Sequence, residues 1–137
     1  MRKLLFLIIV LVSSCKNSKI ANQTNQLSYL VKKIDSKNNW NIIYASKQDS
    51  IFKIIVRKEV GIINDCEKIV VGGYYLFKLH SRKKDVPDIN GIKIEPINNL
   101  DIQCYSYDNE TSICIEPKKG IFDLHHAENI KGLCLIK

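Results

Sequence analysis

Residues 40–58 read WNIIYASKQDSIFKIIVRK, and their reading decides the fold. Strict alternation places Trp40, Ile42 and Tyr44 on one face of a first strand, Trp40 to Ser46. In a second strand, Ile51 to Lys58, it places Phe52, Ile54 and Val56 on one face and Lys53 and Arg57 on the other. A period of two over β-branched and aromatic residues is the signal of strands, and the compact polar run Lys47-Gln48-Asp49-Ser50 joins them as a hairpin. Immediately upstream, Leu27, Leu30, Val31 and Ile34 fit helical spacing. Yet Asp35 to Asn39 is a turn cluster that feeds directly into Trp40, so Leu27 to Asp35 is read as the first strand rather than a helix.

Downstream the same texture continues. Tyr74 to Ser81 alternates Tyr75, Phe77 and Leu79 against Lys78 and His80, and Val71-Gly72-Gly73 gives its start the freedom to bend. Asn90-Gly91 precedes a short strand at Ile92 to Ile94, while Pro87, Pro96 and Pro117 mark loops or edges because proline cannot donate to a ladder. Ile102 to Tyr107 and Ser112 to Glu116 flank Asp108-Asn109-Glu110-Thr111 as a second hairpin, with Asn109 the candidate for positive φ. His125 to Lys131 reads as one helical turn, and Gly132 to Ile136 as a final buried strand. The expectation is an all-β domain over residues 27–137. Its architecture would be a small OB-like closed or partly open barrel of short antiparallel strands with at most short helical turns.

The first residues are of a different kind. Arg2 and Lys3 precede an unbroken apolar run, Leu4 to Val12, followed by Ser13, Ser14 and Cys15. A basic start, a short apolar run and small residues at the cut make a secretory signal. The run is too short to span a hydrocarbon core, which takes about 20 apolar residues. Val12-Ser13-Ser14-Cys15 resembles the lipobox of bacterial lipoproteins. That resemblance implies removal of residues 1–14, acylation of Cys15 and attachment to the cell envelope, facing the periplasm or the cell surface. Residues 15–26, polar and rich in Asn, Gln, Ser and Thr, then read as a lipidated tether. Loss of Arg2 and Lys3 takes two charges from the net +7, leaving +5 in scattered pairs such as Lys32-Lys33 and Lys118-Lys119. Dispersed charge on an exported chain argues for a solvated surface and against nucleic acid as a partner.

With Cys15 acylated, four of the five cysteines remain, and beyond the cytoplasm disulfides are the expected state. Three connectivities are possible. Cys104 and Cys114 lie symmetrically about Asn109 and would face each other across the second hairpin, which leaves Cys66 with Cys134. The competing reading, a metal site of these thiols with His125 or His126, lacks any C-x-x-C pair.

No nucleophile elbow, P-loop, zinc-protease or dinucleotide motif occurs, and no cofactor is expected. Asp123-Leu124-His125-His126-Ala127-Glu128 is the one run crowded with acid and base residues, although as a polar turn it defines no reaction. Asp65, Glu67, Asp85, Asp88, Glu95 and Asp101 occur singly in expected loops. Trp40, Tyr44, Tyr74, Tyr75, Tyr105 and Tyr107 offer flat apolar faces, for the core or for stacking on sugars.

The runs Trp40 to Ala45 with Asp49 to Ile55, Cys66 to Leu79 and Glu128 to Leu135 resemble small bacterial lipoproteins of uncharacterised function. No catalytic residue comes with the resemblance. The expected function is a monomeric, lipid-anchored, non-enzymatic binding or accessory module for a protein or glycan. The alternatives are a hydrolase using Asp123 to Glu128 and an inhibitor of a hydrolase.

Overall fold

Alternating apolar residues turn the expected hairpin into the centre of the molecule. The structure, a computed structural model, describes residues 27–61, 63–84, 88–93 and 103–136. The expected signal, Cys15, the tether, and Asp85, Pro87, Glu95, Pro96 and Asp101 lie outside the described residues.

Tyr29–Lys37 (β1), Trp40–Lys47 (β2) and Ser50–Arg57 (β3) form an antiparallel meander. Its two tight turns place Asn38 and Gln48 at positive φ. The stretch from Leu30 to Ile34 that also fits helical spacing is therefore strand, because pairing with β2 from Leu30 to Lys37 outweighs a weak helical pattern. The register of this pair shifts between Val31 and Lys33, a bulge that strengthens the curl of the sheet.

Cys66–Lys68 (β4) leads to Tyr74–Tyr75 (β5), which pairs with the start of β1. The single strand expected over Tyr74 to Ser81 is broken: three residues separate β5 from Leu79–Ser81 (β6), and these two strands form opposite edges of one sheet. Asp88–Ile89 (β7) and Ile92–Lys93 (β8) make a small hairpin through Asn90 and Gly91, both at positive φ. Cys104–Ser106 (β9) and Ser112–Cys114 (β10) make the second expected hairpin. Asn109 is not at positive φ in its turn; instead the Asp108 carboxylate accepts from the Glu110 N–H at 3.0 Å, closing the turn through a side chain.

The expected helical turn over His125 to Lys131 is replaced by strand Leu124–Ala127 (β11), a tight turn and strand Ile130–Lys131 (β12), before Cys134–Ile136 (β13). Alternation of buried Leu124 with His125, and insertion between two strands lacking a neighbour, decide the conformation here. The larger sheet has the order β5-β1-β2-β3-β11-β6 and curls into a half-barrel. The fold is all-β, and among the described residues pairing is antiparallel with one departure: β11 runs parallel to β3 and antiparallel to β6.

Both faces of the β2–β3 hairpin are covered. On the inner face Ile43, Ala45, Ile54 and Val56 pack with Val31, Ile69, Tyr75, Phe77, Ile130 and Leu135. Much of that cover is the three-stranded sheet β12-β13-β4, tied by the Cys66–Cys134 disulfide. On the outer face Ile42, Ile55 and Leu124 meet Ile113, with Trp40, Tyr44, Tyr105, Tyr107 and Ile115 around them. The hairpin β9–β10 supplies that cover and is cross-linked by Cys104–Cys114, residues directly opposite in its register. Its tip is held by Asn38, whose amide donates to Thr111 Oγ1 at 2.9 Å, and by Trp40, whose indole donates to Asp108 at 2.6 Å.

The two sheet edges are drawn together by Leu76–Lys78, which crosses from β5 to β6. Asn129 clamps this crossing: its side-chain amide donates to the Leu76 carbonyl and its side-chain oxygen accepts from the Lys78 N–H, each at 2.8 Å. The Glu128 N–H adds a bond to the Lys78 carbonyl at 3.0 Å. Asn129→Ala is expected to lower stability by about 1–2 kcal/mol, and Asn129→Asp, which keeps the acceptor but turns a carboxylate oxygen toward the Leu76 carbonyl, by at least as much, measured by urea unfolding.

Candidate functional site

Two polar clusters lie against the central sheet, one on each face. On the outer face Lys53, flanked in sequence by apolar residues, projects under the chain that follows β10. Its side chain is only 6% exposed, and its ammonium donates to Glu116 Oε1 at 2.5 Å and to the Cys114 carbonyl at 2.8 Å. The Tyr44 hydroxyl donates to the same Glu116 oxygen at 2.6 Å, and Lys119 pairs with the other. Burial pulls the Glu116 carboxyl up, but the bonds from Lys119, Lys53 and Tyr44 more than reverse this and hold it at about 2. Burial, and then the Glu116 carboxylate, push the Tyr44 phenol above its ordinary value. Every polar end in this cluster has a partner, so it is a clasp that pins residues 114–119 to the sheet rather than a site with capacity to spare.

The inner face differs. There Tyr29, Phe52, Leu79 and Ala127, with Ile34 and Leu133, are only partly buried against the core. Aromatic rings run continuously across this face. Tyr75 stacks on Phe77 at 5.5 Å and Phe77 on Tyr29 at 5.6 Å; Tyr29 meets Phe52 edge-on at 5.2 Å, and Phe52 meets His125 at 5.3 Å. Lys47 places its ammonium 4.8 Å from the Tyr29 ring centre. At the far end Ser81 donates its hydroxyl to Asp123, whose carboxylate also accepts from the Leu124 N–H at 2.8 Å and lies 3.8 Å from His125 Nε2. His125 Nδ1 is buried without a hydrogen-bond partner. Burial pushes the His125 imidazole below its ordinary value; Asp123 opposes this and His126 adds to it. The ring is therefore neutral at physiological pH, and the approach to Asp123 is a polar contact rather than an ion pair.

The order of groups limits the chemistry. For nucleophilic catalysis the imidazole must take the serine proton and the carboxylate must orient the imidazole. Here the carboxylate stands between hydroxyl and imidazole, so the three groups are not ordered as a serine–histidine–acid triad.

The crowded run Asp123 to Glu128 is thus divided by its strand. Asp123 and His125 face the inner surface, whereas His126 pairs across the ladder with His80, stacking at 5.1 Å. His80, exposed as its alternation requires, bonds Glu128 at 2.6 Å. Asp65 and Glu67 lie exposed at β4. The four cysteines of the domain are bonded as Cys66–Cys134 and Cys104–Cys114 and are not available as metal ligands. Among the described residues no group of three or more His, Cys, Asp or Glu side chains is placed to hold a metal ion. None of their helices is long and apolar enough to cross a membrane. Lys53, Glu116 and Ser81 are not marked by any sequence motif. A lysine inside the apolar run IFKIIV was the available clue to the clasp, whereas nothing near Glu116 signals its role.

Comparisons with protein-family models, with curated proteins and with solved structures find no match to this chain.

Glu116→Gln strands the buried Lys53 charge and is expected to cost about 3–5 kcal/mol, whereas Lys53→Met combined with Glu116→Leu returns most of it, read by denaturant unfolding. The pH profile has two acid limbs. Glu116 is held below its ordinary 4.5, so its contribution is present above that value and fades as pH falls toward about 2. His125 is also held below its ordinary value of 6.5, so the unfolded chain takes up the proton first and stability falls as pH drops through 6.5. His125→Gln is expected to remove the upper limb alone.

Proposed function

We propose that this protein is a lipid-anchored binding module on the extracytoplasmic side of a bacterial envelope, and that the open end of the half-barrel takes a glycan. The anchor rests on the lipobox-like Val12 to Cys15, and two disulfides support an oxidising compartment. The observation that carries the ligand is the row Tyr29, Phe52 and His125 ending at Asp123 and Ser81. Sugars present C–H faces that stack on aromatic rings and hydroxyls that donate to carboxylates, and this surface offers both within one strand spacing. His125 Nδ1 is buried without a partner, so a ligand hydroxyl would reach it only if the ring turned. Lys47 over Tyr29 adds a cation at the opposite end of the row, suited to an acidic sugar.

The test is titration of the isotope-labelled chain with a panel of cell-wall saccharides, N-acetylglucosamine oligomers and muropeptides, followed by NMR. Shifts centred on Tyr29, Phe52 and His125 are expected. Phe52→Ala and Asp123→Asn are each expected to weaken binding by about tenfold, the equivalent of 1.4 kcal/mol, with the thermal midpoint recorded beside each affinity. Absence of shifts with every saccharide, or shifts confined to other surfaces, would overturn the reading.

A further inference from the structure

A second surface, separate from the half-barrel opening, lies along the β5 edge. Residues 68–78 read KIVVGGYYLFK: a lysine at each end, no carboxylate and seven apolar residues between. Tyr75 and Phe77 turn inward and are buried, but Val70 is 47% exposed, Val71 59%, Tyr74 52% and Leu76 58%. Single exposed apolar residues are ordinary on a protein surface; four within seven positions of one edge are not.

The edge is built rather than loose. The Tyr75 hydroxyl accepts from the Val70 N–H at 2.9 Å and donates to the Lys68 carbonyl at 3.0 Å, fixing the base of the turn. The Gly72 N–H donates to the Val31 carbonyl and the Val31 N–H to the Gly73 carbonyl, tying the turn to β1. Gly73 is required by close approach, since a Cβ there would lie 2.5 Å from the Tyr75 hydroxyl oxygen. Val70, Val71, Tyr74 and Leu76 are thus displayed by a fixed backbone.

The position of this edge decides its occupant. Tyr74 pairs with Leu30 and Tyr75 with Tyr29, so the edge lies beside the residues where the chain enters the domain, and Leu27 there is itself 65% exposed. Cys15 precedes Leu27 by residues 15–26, which reach at most about 40 Å even when fully extended. We infer that the Val70–Leu76 edge is the face on which the domain rests against an anionic lipid bilayer, Val71, Tyr74 and Leu76 entering the interface and Lys68 and Lys78 meeting the headgroups. Aliphatic and tyrosine side chains with flanking lysines are the chemistry of an interfacial contact, and a lipid chain plus a second, protein-borne signal holds more firmly than a chain alone. This inference rests on the lipid-anchor reading for presentation of the face.

The test uses the full chain as matured by its host, isotope-labelled and placed in phosphatidylglycerol-containing nanodiscs doped with a nitroxide lipid. Amide signals of Val70, Val71, Tyr74 and Leu76 are expected to broaden several-fold more than those of Phe122 and Ile92, which are equally exposed elsewhere. A variant carrying Val71→Ser, Tyr74→Ser and Leu76→Ser, all solvent-facing, is expected to stay on the disc and lose the preferential broadening. Uniform broadening, broadening centred on Phe122 and Ile92, or protection of the edge by a second copy of the chain in the absence of lipid would overturn the inference. The mass of the amino-terminal peptide reads the anchor separately. A lipidated Cys15 without edge broadening fails the contact and keeps the anchor; a free Cys15 with edge broadening does the reverse.

Discussion

Burial of both faces of the β2–β3 hairpin is the constraint from which the rest of the structure follows. Ile43, Ala45, Ile54 and Val56 point one way, and Ile42 and Ile55 the other, so neither face tolerates water. A half-barrel of short strands cannot satisfy both by curling alone. The inner face is therefore capped by β12-β13-β4 and the outer by β9–β10, and each cap, too small to be stable by itself, carries a disulfide. The clasp of Lys53 with Glu116 belongs to the same logic. It spends a buried charge to hold the chain leaving β10 over the sheet, and its cost is met by complete pairing of every polar end.

Where the caps stop, the candidate site begins. The inner cap covers the rows containing Ile43 and Ile54 and leaves Tyr29, Phe52 and His125 only partly covered, so the proposed site continues the core. Core and site share one aromatic row, so rigidity at Tyr75 and Phe77 is passed directly to the rings a ligand would meet. Preorganisation of this kind reduces the ordering cost of binding.

The sequence discloses this architecture unevenly. The central hairpin, the β9–β10 hairpin with its facing cysteines and the final strand are legible, since alternation and turn residues act locally and the structure agrees with them. Three features are not. The break at Leu76–Lys78 is invisible because alternation continues through it, with Tyr75 and Phe77 both inward, while the clamp that forces the break comes from Asn129. The strand at Leu124–Ala127 hides behind a run of polar residues, because one of its inner positions is His125 and Asp123 stands just before it. Lys53 reads as a surface lysine because its partner, Glu116, is remote in sequence. In each case the deciding partner is non-local, and no window of neighbouring residues contains it.

The parallel pairing of β11 with β3 carries a consequence for the order of assembly. As the chain emerges from its amino-terminal end, β1, β2 and β3 can pair at once, but the free side of β3 waits for a segment far downstream, and β6 has no neighbour until that segment arrives between them. Long-range pairing of this type slows folding, and an apolar strand edge such as IFKIIV left open meanwhile is a template for association between chains. For an exported protein that interval falls outside the cytoplasm. Until the C-terminal strands close the sheet, the nascent domain would be exposed to association through that edge.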